Sequence, residues 1–288
     1  MWIILSFFTA LFYGLQGAWS KNITKTVDHF TVTWAMFSFA LPVVGVSLIY
    51  TGIPEIKSSF FWGLGGSLII NLFAFTFFIK AIKISPLSLT YPFLAFTPVF
   101  LIFTGNLFLG EIPSKTGIWG VILITSGAYL LNLKKSKTGI LEPVKAIIRE
   151  KGSLLMLIVA FLWGFAAAFD KVALLSSSPY FYITIFNLCF AVIYLPFLYK
   201  KNPGLKISIK KNYFKFIILG ILGGLMVICQ MSALETALVS YVISIKRSGM
   251  IITMIMGFMF FNEEIHYGRI LGTLLMCAGV FLISVFGQ

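Results

Sequence analysis

Lys246 and Arg247 stand side by side inside Leu238 to Phe261, a stretch otherwise free of charge. At about 1.5 Å of rise per helical residue, that stretch is long enough to cross a bilayer. The pair lies roughly 12 Å from the nearer end, beyond easy snorkelling, where a charge is costly and commonly serves an ion or substrate path. Arg247 offers a planar fork of donors that stays charged, suited to a carboxylate or phosphate held by paired hydrogen bonds, and Lys246 adds a compact second charge. Successive helical positions point about 100° apart, so both residues can border one cavity without sharing one line of the helix. The nine acidic residues, Asp28, Glu55, Glu111, Glu142, Glu150, Asp170, Glu235, Glu263 and Glu264, fall in connectors or at the ends of apolar stretches. No carboxylate is therefore an evident partner at midspan, and a bound anion would fill that role. The competing reading is structural: hydrogen bonds to backbone carbonyls, a buried water cavity, or a Lys246 left neutral by desolvation.

Other residues at span depth can line such a cavity. Tyr13, Tyr91, Trp163 and Tyr241 each offer a ring with one hydrogen-bonding group, and Asn71, Asn187 and Gln230 offer amides. With Lys246 and Arg247 they form the expected substrate-binding set. Asn and Gln also join neighbouring helices, and Trp or Tyr near a span end also marks the membrane interface, so each is open to a structural reading. Pro92 and Pro98 interrupt the stretch from 87 to 109, and a proline removes an internal helical hydrogen bond and can kink the helix. Glu111 and Glu263 sit at short turns, where a carboxylate favours a helix start. His29 and His266 lie in connectors without a partner pattern and receive no role.

The elements that must position these groups are set by composition. Hydrophobic residues make up 59% of the 288 positions, aromatics 17% and charged residues 11%, the profile of a multi-pass membrane protein with no soluble domain. Twenty-two Lys and Arg face nine Asp and Glu, but the positive charges occupy short connectors instead of one face, which argues against a nucleic-acid partner. Cys189, Cys229 and Cys277 lie in apolar runs without CxxC spacing, so neither a disulfide framework nor a metal site is expected. No cofactor is expected, and no enzyme: paired midspan carboxylates, a His–Glu metal spacing and an activated nucleophile are all missing from the sequence pattern. The opening Met1-Trp2 leads straight into an apolar run, which reads as a retained span and not as a signal peptide.

Apolar runs fall near 2–20, 30–50, 59–82, 87–109, 115–133, 153–172, 180–199, 214–235, 238–261 and 267–286. The expectation is an all-α membrane protein with ten transmembrane helices. The substantial polar connector, Lys134 to Lys151, divides them into a first half at 1–133 and a second at 152–288. The halves look related. Ala10-Leu11-Phe12-Tyr13-Gly14 with Lys21 recurs as Ala160-Phe161-Leu162-Trp163-Gly164 with Lys171, an offset of 150, and Ala81, Glu111, Gly120 and Gly127 return as Ala233, Glu263, Gly272 and Gly279 at 152. Five spans per half oblige the second half to enter the membrane inverted, so two inverted five-helix repeats should enclose a central cavity, as in many secondary transporters. Leu94 and Ala95 then stand opposite Lys246 and Arg247, so one half supplies the charge. Paired glycines serve close helix approach. Connectors after odd-numbered spans hold 17 Lys and Arg and those after even-numbered spans hold 3, which puts the central linker in the cytoplasm and both termini outside. The basic clusters at 134–151 and 200–215 can also touch anionic lipid headgroups.

The two five-span halves, the paired Ala-x-x-[Tyr/Trp]-Gly openings, and the Gly110-Glu111 and Asn262-Glu263 junctions followed by glycine-bearing helices resemble the EamA-like branch of the drug/metabolite transporter superfamily. The resemblance covers nearly the whole chain and implies transport of a small molecule; relatives of this plan carry amino acids, sugars, nucleotide sugars, phosphorylated metabolites or drugs. Lys246-Arg247 is similar to the Lys-Arg pair of plastid phosphate translocators, which implies contact with a substrate phosphate. The first-span carboxylate of the small multidrug members is missing; Tyr13, Gln16 and Trp19 stand there instead. The resulting expectation is a plasma-membrane secondary transporter, possessing membrane lipid and a small-molecule substrate as partners, that moves an anionic or zwitterionic metabolite by alternating access, with exchange as the natural mode. An amino-acid or drug exporter and a flippase for a phosphate-bearing lipid are the alternatives. Monomer and homodimer both stay open.

Overall fold

The computed structural model describes residues 1–85, 91–132, 151–202, 204–261 and 267–287, and helix is the sole regular structure among them. In chain order the helices are α1 (Trp2–Ile23), α2 (His29–Ser38), α3 (Leu41–Thr51), α4 (Ser59–Ile84), a 3-10 segment at Tyr91–Phe96, α5 (Thr97–Leu109), α6 (Lys115–Asn132), α7 (Lys151–Leu175), α8 (Pro179–Lys201), α9 (Leu205–Leu234), α10 (Val239–Phe261) and α11 (Tyr267–Phe286). Seven helical segments among the described residues are long and apolar enough to cross a membrane, α2 and α3 counting together as one, and Phe93–Leu109 and Ile270–Phe286 are shorter apolar helices. Residues 133–150, which hold all of the expected linker but Lys151, lie outside the described residues together with Asn262, Glu263, Glu264 and His266, as do the side chains of Tyr91 and Pro92; Lys151 opens α7.

Local chemistry explains the breaks. Asp28 caps α2, its carboxylate accepting from Thr31 N at 2.9 Å and Thr31 Oγ1 at 2.6 Å, which satisfies an orphan amide of the first turn. Pro42 stands in the first turn of α3, where its missing N–H costs nothing, so the chain steps at Phe39–Ala40 and restarts. Pro98 does the same for α5: it begins an α-helix behind a 3-10 segment, instead of kinking a continuous one. Gly110 ends α5 in the left-handed region (φ 66°), where a side chain would be strained. Helix α9 starts at Leu205, ahead of the apolar run at 214, and bends at Asn212 (φ −117°, ψ 17°), whose amide donates to Ser208 O at 3.1 Å.

Packing joins the two halves of the chain crosswise. Helix α1 packs on α9 and α10, α7 packs on α4 and on the 3-10/α5 segment, and α6 packs on α11. Backbones meet where glycines remove side chains: a Cβ on Gly120 would lie 2.9 Å from Gly279 O, one on Gly279 would lie 2.6 Å from Gly120 O, and one on Gly127 would lie 2.5 Å from Gly272 O. At such separations van der Waals packing, the main source of helix association in lipid, reaches the backbone itself.

Candidate functional site

A cavity of about 280 Å³ lies between the two halves. Helix α10 presents Ile243, Lys246 and Arg247 to it, the i, i+3, i+4 stripe of a single helix face. Helix α7 contributes Trp163, Ala166, Ala167 and Asp170, which extend such a stripe over two turns, and α1 contributes Tyr13 and Gln16. Asn71 and Phe75 of α4, Thr97 of α5, Tyr182 and Asn187 of α8, and Gln230 of α9 complete the polar and aromatic lining.

Both cations are held by neutral groups. Lys246 Nζ donates to Gln230 Oε1 at 2.6 Å and stands 5.2 Å from the Tyr13 ring centroid. Arg247 Nη1 donates to Tyr13 Oη at 3.1 Å and Nη2 to Thr97 Oγ1 at 3.2 Å, with its Cζ 5.9 Å from the same ring centroid. Thr97 spends its own hydroxyl proton on Leu94 O at 2.9 Å, which leaves its lone pairs turned to the guanidinium. Thus the break before α5 helps to hold Arg247. That residue is 7% exposed, and its buried Nε has no hydrogen-bond partner among the described residues. Among the described residues, no carboxylate forms an ion pair with Lys246 or Arg247, and a buried charge so placed favours an anion at hand.

Seven of the nine expected substrate contacts converge here: Tyr13, Asn71, Trp163, Asn187, Gln230, Lys246 and Arg247. Asn71 donates to Ser67 O at 3.0 Å and Asn187 to Ile183 O at 2.6 Å, so each amide also secures its own helix. Tyr241 lies elsewhere. Its hydroxyl accepts from Ser114 N at 3.0 Å and its ring stacks on Trp2 at 6.4 Å, because its position on α10 turns it toward α6 and the chain ends. Tyr91 belongs to the 3-10 segment, and its side chain is outside the described residues.

Asp170 corrects the expectation that carboxylates avoid the span interior. Helix α7 continues to Leu175, beyond the apolar run's end at 172, so Asp170 is helical and faces the cavity. It accepts from the Ser67 hydroxyl and, at 2.5 Å, from Tyr182 Oη. The stripe Trp163, Ala166, Ala167, Asp170 was the available signal.

The adjacent Lys171, expected in a connector, is likewise helical and buried, and it forms an ion pair with Glu111 while donating to Ala237 O at 2.5 Å. Glu111 Oε2 also accepts from Val239 N at 2.8 Å, the first amide of α10. The carboxylate thereby serves a helix start, as its turn position implied, and also neutralises a buried lysine. This cluster borders a second cavity of about 570 Å³ beside Trp2, Glu235 and Tyr241.

Apolar helices of spanning length, packed around a charged internal cavity, define a multi-pass membrane protein of the transporter class. The EamA-like transporter family matches residues 1–133 and again residues 150–285. The chain belongs to that family, within the drug/metabolite transporters. Twenty-nine chains of solved structures match it. One crystal structure of a protein, 14% identical, superposes with a TM-score of 0.77 over 99% of this chain and 98% of that one, a likeness of fold. No curated protein matches.

Proposed function

We propose that the chain is a ten-span secondary transporter that moves a small anionic or zwitterionic metabolite by alternating access, with Arg247 and Lys246 holding its carboxylate or phosphate. The observation that carries this reading is Arg247: buried, charged, bordering the cavity and, among the described residues, hydrogen-bonded to neutral acceptors alone. An anion in the cavity would meet the guanidinium and the Lys246 ammonium with charge-assisted hydrogen bonds. Tyr13, Asn71, Trp163, Asn187 and Gln230 would complete the contact surface.

Ten crossings follow if α2–α3 and the 3-10/α5 segment each count as one. The crosswise packing of α1 on α9–α10 and of α7 on α4–α5 supports an inverted repeat, since the first span of each half meets the third and fourth spans of the other. An inverted repeat has two equivalent ways of closing around its site, the basis of alternating access. Basic connectors put the linker in the cytoplasm of a plasma-membrane protein with its termini outside. Exchange fits a site whose two cations, set against the single carboxylate Asp170 of the described lining, make the empty form costly to reorient.

The test is flux. Proteoliposomes loaded with a candidate metabolite should take up the labelled compound faster than empty ones, and the Arg247→Gln protein, shown to be folded by gel filtration, should lose this trans-stimulation. Equal uptake by both proteins would refute the proposal.

A further inference from the structure

Three charges face one cavity, and each is held by neutral partners. Lys246 donates to Gln230, Arg247 donates to Tyr13 and Thr97, and Asp170 accepts from Ser67 and Tyr182. Among the described residues, Asp170 is the carboxylate of this lining and no lysine or arginine forms an ion pair with it. Asp170 and Lys246 attract each other within this lining, but no direct salt bridge joins the opposite charges. In a low-dielectric interior such groups are expensive to keep apart unless something bridges them.

We propose that Asp170 is a specificity-determining residue: it receives the cationic group of a ligand whose anionic group sits on Arg247 and Lys246. The inference rests on the functional reading above and narrows it to zwitterions. A ligand with both charges compensates both ends of the cavity. A plain anion satisfies the cations but meets repulsion from Asp170, and a plain cation is repelled by Lys246 and Arg247. Discrimination therefore arises as much from the charge that rejects as from the charge that attracts. Asp170 is well placed for this, because the Ser67 and Tyr182 hydroxyls both converge on Oδ1, leaving Oδ2 for the ligand.

Matched molecules separate the contributions. Leucine, 4-methylpentanoate and 3-methylbutylamine share a carbon skeleton and differ in their charged groups; phosphoethanolamine and ethyl phosphate form a second pair. Binding is read from the thermal unfolding midpoint of the full-length protein in lipid nanodiscs as each compound is titrated. At least one zwitterion should act at about tenfold lower concentration than its matched ions, and Asp170→Asn should bring zwitterion and anion within about threefold by strengthening the anion. Asp170→Ser provides the same comparison should the asparagine variant fail to fold, and the wild-type comparison needs no variant at all. Wild-type protein on which neither zwitterion outperforms its matched anion, silence from all compounds included, overturns the assignment, as does an unchanged order in Asp170→Asn. Arg247→Gln is measured alongside: anion binding that survives it refutes the placement of the anion on Arg247, whereas a changed order in Asp170→Asn would still locate the cationic pole.

Discussion

Asp170 and Lys171 are consecutive residues with opposite duties. One faces the cavity, and the other turns about 100° away to pair with Glu111. The Lys171–Glu111 pair has 8% and 10% of its side-chain surfaces exposed, so removing one partner leaves the other charge buried alone. Glu111→Gln should lower stability by about 3–5 kcal/mol, and Glu111→Gln/Lys171→Gln should recover part of that loss; thermal unfolding of the single and double variants measures both. A single variant as stable as wild type would show that water reaches the pair. Lys246 and Arg247 were legible in the sequence because two charges amid apolar residues have no connector to belong to. Asp170 and Lys171 were not, since they lie within five residues of the end of α7, where a charge reads as the start of a loop. The helical stripe running from Trp163 to Asp170 separates the two cases, and it becomes decisive only once the helix end is known.

Helix positions followed from hydropathy wherever an apolar run ended at Pro, Gly or charge, as at Gly110-Glu111. Interruptions were harder to read. Pro98 was visible, yet its effect, a 3-10 segment feeding a new α-helix, depends on how Thr97 bonds to Leu94 and Arg247. The early start of α9 was hidden by the lysines at 206, 210 and 211, which resemble a connector although they ride on a helix. The α6–α11 contact tests the role assigned to the glycine pairs. In Gly279→Val the added atoms would collide with Gly120 O and with Ile124 N, both backbone, so the helices must separate at a cost of about 1–3 kcal/mol. Gly45→Ala, which meets nothing within 4 Å, should leave the unfolding midpoint unchanged or slightly raised. Equal effects of the two substitutions would remove the close approach as a source of stability.

At the level of the whole molecule, the proposed ten-span inverted repeat puts the connectors after α3 and after α8 on opposite sides of the membrane, so topology can be checked at two points. Ile53→Cys, in the exposed connector after α3, should react with a membrane-impermeant maleimide on intact cells. Gly204→Cys, between α8 and α9, should react only after permeabilisation; the reverse pattern would invert the orientation and leave the fold intact. The repeat was readable in the sequence through its paired offsets, whereas the cavity chemistry required knowledge of which helix faces meet. The central claim, a cavity that binds a charged metabolite through Arg247 and Lys246, is tested most directly by thermal unfolding of the protein in liposomes against phosphate, carboxylate, zwitterionic and cationic compounds. The wild type should be stabilised selectively by compounds carrying an anionic group, and folded Arg247→Gln and Lys246→Gln proteins should lose that stabilisation. Variants that keep the wild-type ligand profile would contradict the claim and leave the two cations with a structural role.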